Sequence, residues 1–400
     1  MEVTIERILP GGFGLAHAEG RTLMVALAAP GDRLRVRVDR VKGNVGFASI
    51  IEVVEPSPVR IAPPCPYFGR CGGCDFQQLT YEAQLSAKAE IIKDCLHRIG
   101  RINTVPDFNI TPAPHQWRYR SRAQWQYDSV RQRLGYFESA SRRVCDVSEC
   151  AVLAPELQRS LETLRHNMSK GLLPDEAKYF RAVAGDEGVS VAPGVSGPSI
   201  GEDDDSERLP DINRSIGEEK YKLNAQSFFQ TNADLLPRLI VGAIGDLSGD
   251  TAIELYCGVG LLTLPLARRF NRVIAVEENS DAASFARENL AGADLVNAEV
   301  VAADVAAWIE SDLKCGVGAG ALEIDFLLLD PPRAGAESRV IGGILQLKPK
   351  RICYVACDPA TLARDLKKLI AGGYSLDSLD AFDMFPQTHH VETIAKLTGP

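Results

Sequence analysis

Two groups of side chains in this chain have types and spacing that could do chemistry. The first is Cys357, in Tyr354-Val355-Ala356-Cys357-Asp358-Pro359, with a carboxylate, Glu392, thirty-five residues on in His389-His390-Val391-Glu392. An apolar run before Cys357 reads as a buried parallel strand, and a thiol at its carboxyl end faces the ligand crevice of an open α/β sheet. Such a thiol could attack a ring carbon, with the carboxylate as general base. On position alone a small apolar core residue is an equal reading for Cys357, and a strand-edge acid competes for Glu392. His389 and His390, adjacent on a strand, are expected on opposite faces and do not read as a metal pair.

The second group is Cys65-Pro-Tyr-Phe-Gly-Arg-Cys71-Gly-Gly-Cys74. Its C-x5-C-x2-C spacing differs from the paired knuckles of structural zinc. With a distant fourth thiolate it suits a [4Fe–4S] cluster, zinc being the alternative. From spacing alone Cys145 and Cys150 compete for the fourth position. Ten cysteines in a chain expected to be cytoplasmic speak for metal or catalysis rather than disulfides.

These groups need elements to position them. From about residue 220 the pattern alternates strand and helix, with apolar runs at Thr251–Tyr256, Arg272–Val276, Phe326–Leu329 and Ile352–Ala356. That pattern predicts a doubly wound parallel α/β sheet. Glu254-Leu-Tyr256-Cys257-Gly258-Val259-Gly260 follows the first run, and its glycines allow close backbone approach to a nucleotide-like ligand. Thr263 stands where a pyrophosphate site has its third glycine. Glu277 ends the next strand, where it can accept ribose hydroxyls; Asp304 follows a third strand and could bind the adenine edge. A glycine turn and a ribose acid without a phosphate cradle suit S-adenosylmethionine better than NAD.

Asp330-Pro331-Pro332-Arg333 closes the fourth strand and sets Asp330 beside the donor methyl group. Amino-group methyltransferases usually carry an aromatic residue after such a corner; Arg333 here disfavours that chemistry. A uracil ring fits instead. Thiolate addition at carbon 6 makes carbon 5 nucleophilic, and the adduct must then lose its carbon-5 proton.

Residues 1–58 read as a small all-β unit, with alternation in Leu34-Arg35-Val36-Arg37-Val38 and recurring glycine turns. This predicts a five-stranded barrel of the OB type. Residues 59–219 form a mixed central region, with an amphipathic helix over Tyr81–Ile99 and a helical stretch near Pro155–Asn167. Arg118, Arg120, Arg122, Arg131, Arg133, Arg142 and Arg143 alternate with Trp117, Tyr119, Trp125 and Tyr127. Guanidinium groups and flat rings together suit RNA; an arginine-rich solvated hairpin is the other reading. Residues 194–219, rich in Gly, Ser and acid, predict a solvated loop.

The net charge of −9 argues weakly against a nucleic-acid partner. No run of apolar residues is long enough to span a membrane, and the amino terminus has no signal-peptide pattern.

Taken in order, these motifs resemble the RNA uridine-C5 methyltransferase family, and the likeness runs over nearly the whole chain. Gly11-Gly12-Phe13-Gly14-Leu15-Ala16 and Pro30-Gly31-Asp32 are similar to its TRAM barrel, and Ser227-Phe228-Phe229-Gln230-Thr231-Asn232 to its F-F-Q-x-N segment. Three stretches in sequence carry the most specific likeness: Asp-Pro-Pro-Arg, Cys-Asp-Pro-Ala-Thr-Leu-Ala-Arg-Asp, and His-Val-Glu. The resemblance implies a class I S-adenosylmethionine-dependent domain over 220–400 behind a TRAM-like barrel (1–58) and an iron–sulfur and RNA-contacting domain (59–219). It implies donor contacts at Gln230, Tyr256, Glu277, Asp304 and Asp330, Cys357 as nucleophile and Glu392 as base. Its cluster ligands would be Cys65, Cys71, Cys74 and Cys150, in preference to Cys145. The expected substrate is structured RNA, 23S rRNA before tRNA, acted on by a monomer. Asp358 stands where many members have Asn, a change expected to matter little.

Overall fold

The computed structural model describes residues 1–194, 209–315 and 323–399. The amino-terminal unit has six strands rather than the five expected: β1 (Glu2–Thr4), β2 (Arg7–Ile8), β3 (Gly14–Ala18), β4 (Arg21–Val25), β5 (Arg33–Lys42) and β6 (Val45–Glu55). They run in the order β1-β5-β6-β4-β3-β2. The extra strand is the two-residue β2, too short for alternation to reveal. Val3, Ile5, Leu23, Val25, Leu34 and Val36 fill the interior.

Helix α1 (Tyr81–Cys95) is capped by Thr80, whose hydroxyl accepts from the Ala83 amide. It ends four residues before the expected Ile99, in a wider turn over Leu96–Gly100 closed by Arg101 in the left-handed conformation. Strand β7 (Ile110–Thr111) follows. A five-stranded sheet then contains β8 (Arg122–Asp128), β9 (Arg133–Phe137), β10 (Val144–Asp146), β11 (Tyr179–Ala184) and β12 (Val189–Ala192), in the order β10-β9-β8-β11-β12. Helix α2 (Pro155–Ser169) covers one face with Leu157, Leu161, Leu164 and Met168. Trp125 is fully buried under that face, and Tyr119 and Tyr127 are buried too. These three rings are core, which corrects the expectation that they would offer stacking platforms. On a strand, alternate residues face opposite sides, so Arg122, Gln124 and Gln126 point outward while Ala123, Trp125 and Tyr127 point in.

The expected loop at 194–219 is also revised. Residues 195–208 lie outside the described residues, while β13 (Ile212–Ile216) and β14 (Glu219–Leu223) form a hairpin that buries Ile212, Ile216, Tyr221 and Leu223.

The main sheet comprises β15 (Gly249–Leu255), β16 (Phe270–Glu277), β17 (Ala298–Ala302), β18 (Phe326–Leu329), β19 (Arg351–Ala356), β20 (Ser375–Phe382) and β21 (Glu392–Thr398). Its order is β17-β16-β15-β18-β19-β21-β20, with β7 of the central region added at the edge. β15 to β19 are parallel as expected, but β21 runs antiparallel to both β19 and β20, so the sheet is mixed. One face packs α1 with α6 (Val305–Cys315), α7 (Ser338–Leu347) and α8 (Pro359–Ala371). The other packs the β13–β14 hairpin with α3 (Leu236–Ile244), α4 (Thr263–Ala267) and α5 (Ser280–Gly292). Ile91, Ile92, Cys95 and Leu96 of the central region sit in the same core as Leu362 and Leu366 of α8. Each such burial is worth roughly 1.5–3 kcal/mol.

Candidate active site and cysteine pocket

Strand order reverses between β15 and β18, and ligands of open α/β sheets bind at that point, beyond the carboxyl ends. Tyr256 turns the chain there with a φ of 66°, a strained conformation for an aromatic residue that recurs at functional sites. Gly258 (φ 55°) and Gly260 (φ 91°) continue the turn in the region that favours glycine. Glu277 organises the same loop: its carboxylate accepts from the amides of Gly258 at 2.9 Å and Asn279 at 2.8 Å. Asp304 sits one strand over and accepts from the Ala307 amide at 2.7 Å, capping the first turn of α6. Tyr256, Glu277 and Asp304 therefore line the ends of three adjacent strands, as the sequence predicted.

On the other side of the reversal, antiparallel register pairs Ala356 with Thr393, and the Thr393 hydroxyl donates to the Ala356 carbonyl at 2.9 Å. That pairing brings Cys357 beside Glu392. Asp358 caps α8 by accepting from the amides of Ala360 and Thr361, each at 2.9 Å. Asn caps as well as Asp, which accounts for the small effect expected there. Gln230 donates to Asp330 at 3.4 Å, bridging the segment before α3 to the end of β18.

Charge accumulates in this crevice. Glu392 is buried, and among the described residues one of its carboxylate oxygens, Oε1, has no partner. Burial, then the nearby Asp330, push its carboxyl well above the usual range, with Arg333 opposing. Asp330 is pushed up to about 7, chiefly by desolvation. Desolvation, then Glu392 and Asp330, push the half-buried Cys357 thiol up to about 12.

A further acid sits beneath them. Glu254 is buried on β15, raised to about 8 by desolvation against a hydrogen bond from Thr263, with Asp330 and Glu277 adding to the rise. Thr263, at the missing third glycine, thus holds a buried carboxylate. Sequence reasoning gave Glu254 no role, since an acid inside an apolar run carries no local signal of its depth.

The segment leading into Glu392 is clamped by the central region. Lys88 of α1 forms a fully buried ion pair with Asp383. Gln84 exchanges hydrogen bonds with Gln387, and Asp75 accepts from the His389 amide at 2.8 Å and pairs with its ring. The Tyr119 hydroxyl donates to the Pro386 carbonyl at 2.9 Å. His389 and His390 precede β21 rather than lying on it, and their rings stand 4.2 Å apart instead of on opposite faces. No local pattern marked these contacts, because their partners are about three hundred residues apart.

Cys65, Cys71, Cys74 and Cys150 line one small apolar cavity together with Tyr67, Gln77, Arg120 and Tyr136. Cys145 is buried nearby and accepts from Arg70 Nε at 3.2 Å, outside that lining. Arg120 Nε and the Tyr136 hydroxyl are enclosed, with no hydrogen-bond partner among the described residues. Among the described residues no three His, Cys, Asp or Glu side chains gather closely enough to hold one metal ion.

The full chain superposes on the crystal structure of Pyrococcus abyssi tRNA (uracil-54, C5)-methyltransferase in complex with S-adenosyl-L-homocysteine, with a TM-score of 0.74, 26% identity and both chains covered completely. Fold and site define an S-adenosylmethionine-dependent methyltransferase. Residues 202–398 match the tRNA (Uracil-5-)-methyltransferase family, and residues 1–59 the TRAM domain of tRNA (uracil(54)-C(5))-methyltransferase. The 23S rRNA (uracil(1939)-C(5))-methyltransferase RlmD of Alkalilimnicola ehrlichii is 33% identical over 98% of this chain and 95% of its own length. An uncharacterized RNA methyltransferase of Halalkalibacterium halodurans is 32% identical over 99% and 96% respectively. The chain belongs to the RNA uracil-C5 methyltransferase family.

Proposed function

We propose that the protein methylates carbon 5 of one uridine in 23S rRNA, through a transient bond between Cys357 and carbon 6. The observation that carries this reading is the β19–β21 register, which brings the thiol of Cys357 beside the buried carboxylate of Glu392. S-adenosylmethionine supplies an electrophilic methyl group when bound, and Gln230, Tyr256, Glu277, Asp304 and Asp330 would hold it. Its sulfonium charge suits a crevice with an unpartnered carboxylate oxygen on Glu392 and a weakly bonded Asp330.

The residues then act in turn. Cys357, which is only half-buried, loses its proton to solvent; its sulfur bonds to carbon 6, moving the ring electrons to carbon 5. Once carbon 5 carries the methyl group, Glu392 accepts its remaining proton. The carbon–sulfur bond breaks, the ring double bond returns, and the thiolate is released. The target base must leave its stack to reach this depth.

Cys65, Cys71, Cys74 and Cys150 would hold a [4Fe–4S] cluster that ties the central region together. The C-x5-C-x2-C spacing of the first three differs from the paired knuckles of structural zinc. A four-iron cube takes one thiolate at each of four separated corners. The enclosed Arg120 offers a positive charge to the anionic tetrathiolate assembly. Anaerobically purified protein should be brown with about four irons per chain; stoichiometric zinc would refute the cluster.

The choice of 23S rRNA rests on the 33% identity with the RlmD enzyme over 98% of this chain, while the likeness to the P. abyssi tRNA enzyme supports tRNA as the alternative. Mapping 5-methyluridine in total RNA from cells with and without the gene tests it. Loss from tRNA alone would reassign the substrate, and unchanged 5-methyluridine in every RNA would sink the reading.

A further inference from the structure

We propose that the outward face of the β8–β11 strand pair, continued by Phe228, binds the single-stranded RNA flanking the target uridine. This rests on the function proposed above and adds the path of the substrate. Arg181 and Tyr179 are two residues apart on β11 and face outward together, with Gln124 directly across on β8. The Arg181 guanidinium lies 5.0 Å from the Tyr179 ring centroid, and Arg122 lies 5.3 Å from that of Phe228. Tyr179 is 37% exposed and Phe228 57%, leaving their ring faces accessible. Phe228 stands two residues before Gln230, so the strip leads directly to the crevice.

Charge identifies the partner as anionic. Among the described residues neither Arg122 nor Arg181 has a carboxylate within ion-pair distance, and the two guanidinium groups lie close enough to oppose each other. The Arg122 guanidinium is disfavoured by burial and then by Arg181, and its Nε has no acceptor. Two like charges held together beside a catalytic crevice are relieved by phosphate oxygens. Exposed rings beneath guanidinium groups take stacked bases, and Gln124 offers an amide to their edges. A duplex hides its base faces, so these rings favour a single strand. At the far end Glu176 and Lys178 line the same groove with opposite charges.

The test is fluorescence anisotropy of a labelled oligouridine against salt, with the full-length protein. Tyr179→Ala should bind roughly 5- to 150-fold more weakly, the worth of one base stack, with an unchanged salt slope. Arg181→Ala should reduce the slope of log affinity against log salt by about 0.7, one phosphate contact on a single strand. An RNA duplex should compete poorly. Wild-type affinity and slope in both Arg181→Glu and Tyr179→Ala, or equal competition by duplex, would overturn the proposal. Calorimetry with S-adenosylhomocysteine runs in parallel and should be unaffected by either substitution. Absence of that binding in the wild type would instead overturn the methyltransfer reading.

Discussion

The crevice and the cysteine pocket are built from the same kinds of side chain with opposite electrostatics. Both hold thiols whose ionisation burial opposes: Cys357 is raised to about 12, Cys74 to about 12 and Cys71 to about 11. Around Cys357 the enclosed titratable groups are acids, Glu254, Asp330 and Glu392, whose ionisation burial opposes. Around the four-cysteine cavity the enclosed charge is the guanidinium of Arg120. Isolated charges are expensive to enclose, so each site is arranged for a ligand of the other sign. The crevice suits a cationic donor and the pocket an anionic metal–thiolate assembly. A single thiol beside a carboxyl fits the turnover proposed above, whereas four thiols around one small cavity fit the proposed ligation.

If that contrast holds, replacing a cysteine should stop chemistry at one site and stability at the other. Cys357→Ala should lower methyl transfer by roughly 10⁴-fold or more, since nucleophile and base act as a unit. Calorimetric donor binding should persist, and full 5-methyluridine formation by the variant would remove the nucleophile. Next in size, Glu392→Gln should slow turnover by roughly 10²–10⁴-fold. Because only the later proton removal is blocked, an RNA–protein adduct should survive in a denaturing gel. Rapid turnover without adduct would assign the base elsewhere.

Within the pocket, Arg120→Ala should cost about 3–5 kcal/mol of stability in the metal-loaded protein, the penalty for stripping a partner from a buried ionic assembly. Iron per chain and the thermal midpoint measure it together. Retention of both would leave the guanidinium without a role there.

The smallest effect is a pH dependence. Asp330 binds its proton more tightly in the folded state, at about 7 against 3.8. Its raised value therefore favours folding at low pH, and that advantage fades as pH rises from 3.8 to about 7. Donor-free Asp330→Asn protein should lose less thermal stability over that window than the wild type. Parallel melting curves would contradict the assignment of Asp330 as an enclosed acid.

Much of the site was legible because its residues lie at the ends of strands whose apolar runs are visible. Tyr256, Glu277, Asp304, Asp330 and Cys357 each follow such a run, and a parallel sheet brings those ends to one edge. The antiparallel β21 was not legible, because a buried strand looks alike in either direction. The arginine–aromatic segment misled through its alternation: Tyr119, Trp125 and Tyr127 are buried, Arg120 is enclosed at the cysteine cavity and Arg122 is partly buried, while Arg118, Arg131, Arg133, Arg142 and Arg143 are exposed. Rings available to a partner came from elsewhere, in Tyr179 and Phe228.

Residue order by itself determined the alternating strands and helices, the motifs at their ends and the chemistry those side chains can do. These depend on local periodicity and on functional groups, both present in the unfolded chain. Tertiary structure alone decided the pairing of Cys357 with Glu392, the placing of Cys150 on the same cavity as Cys65, Cys71 and Cys74, and the clamp from Asp75, Gln84 and Lys88. Each joins residues far apart in the chain, and the burial that shifts Asp330, Glu254 and Glu392 exists only once those segments have closed together.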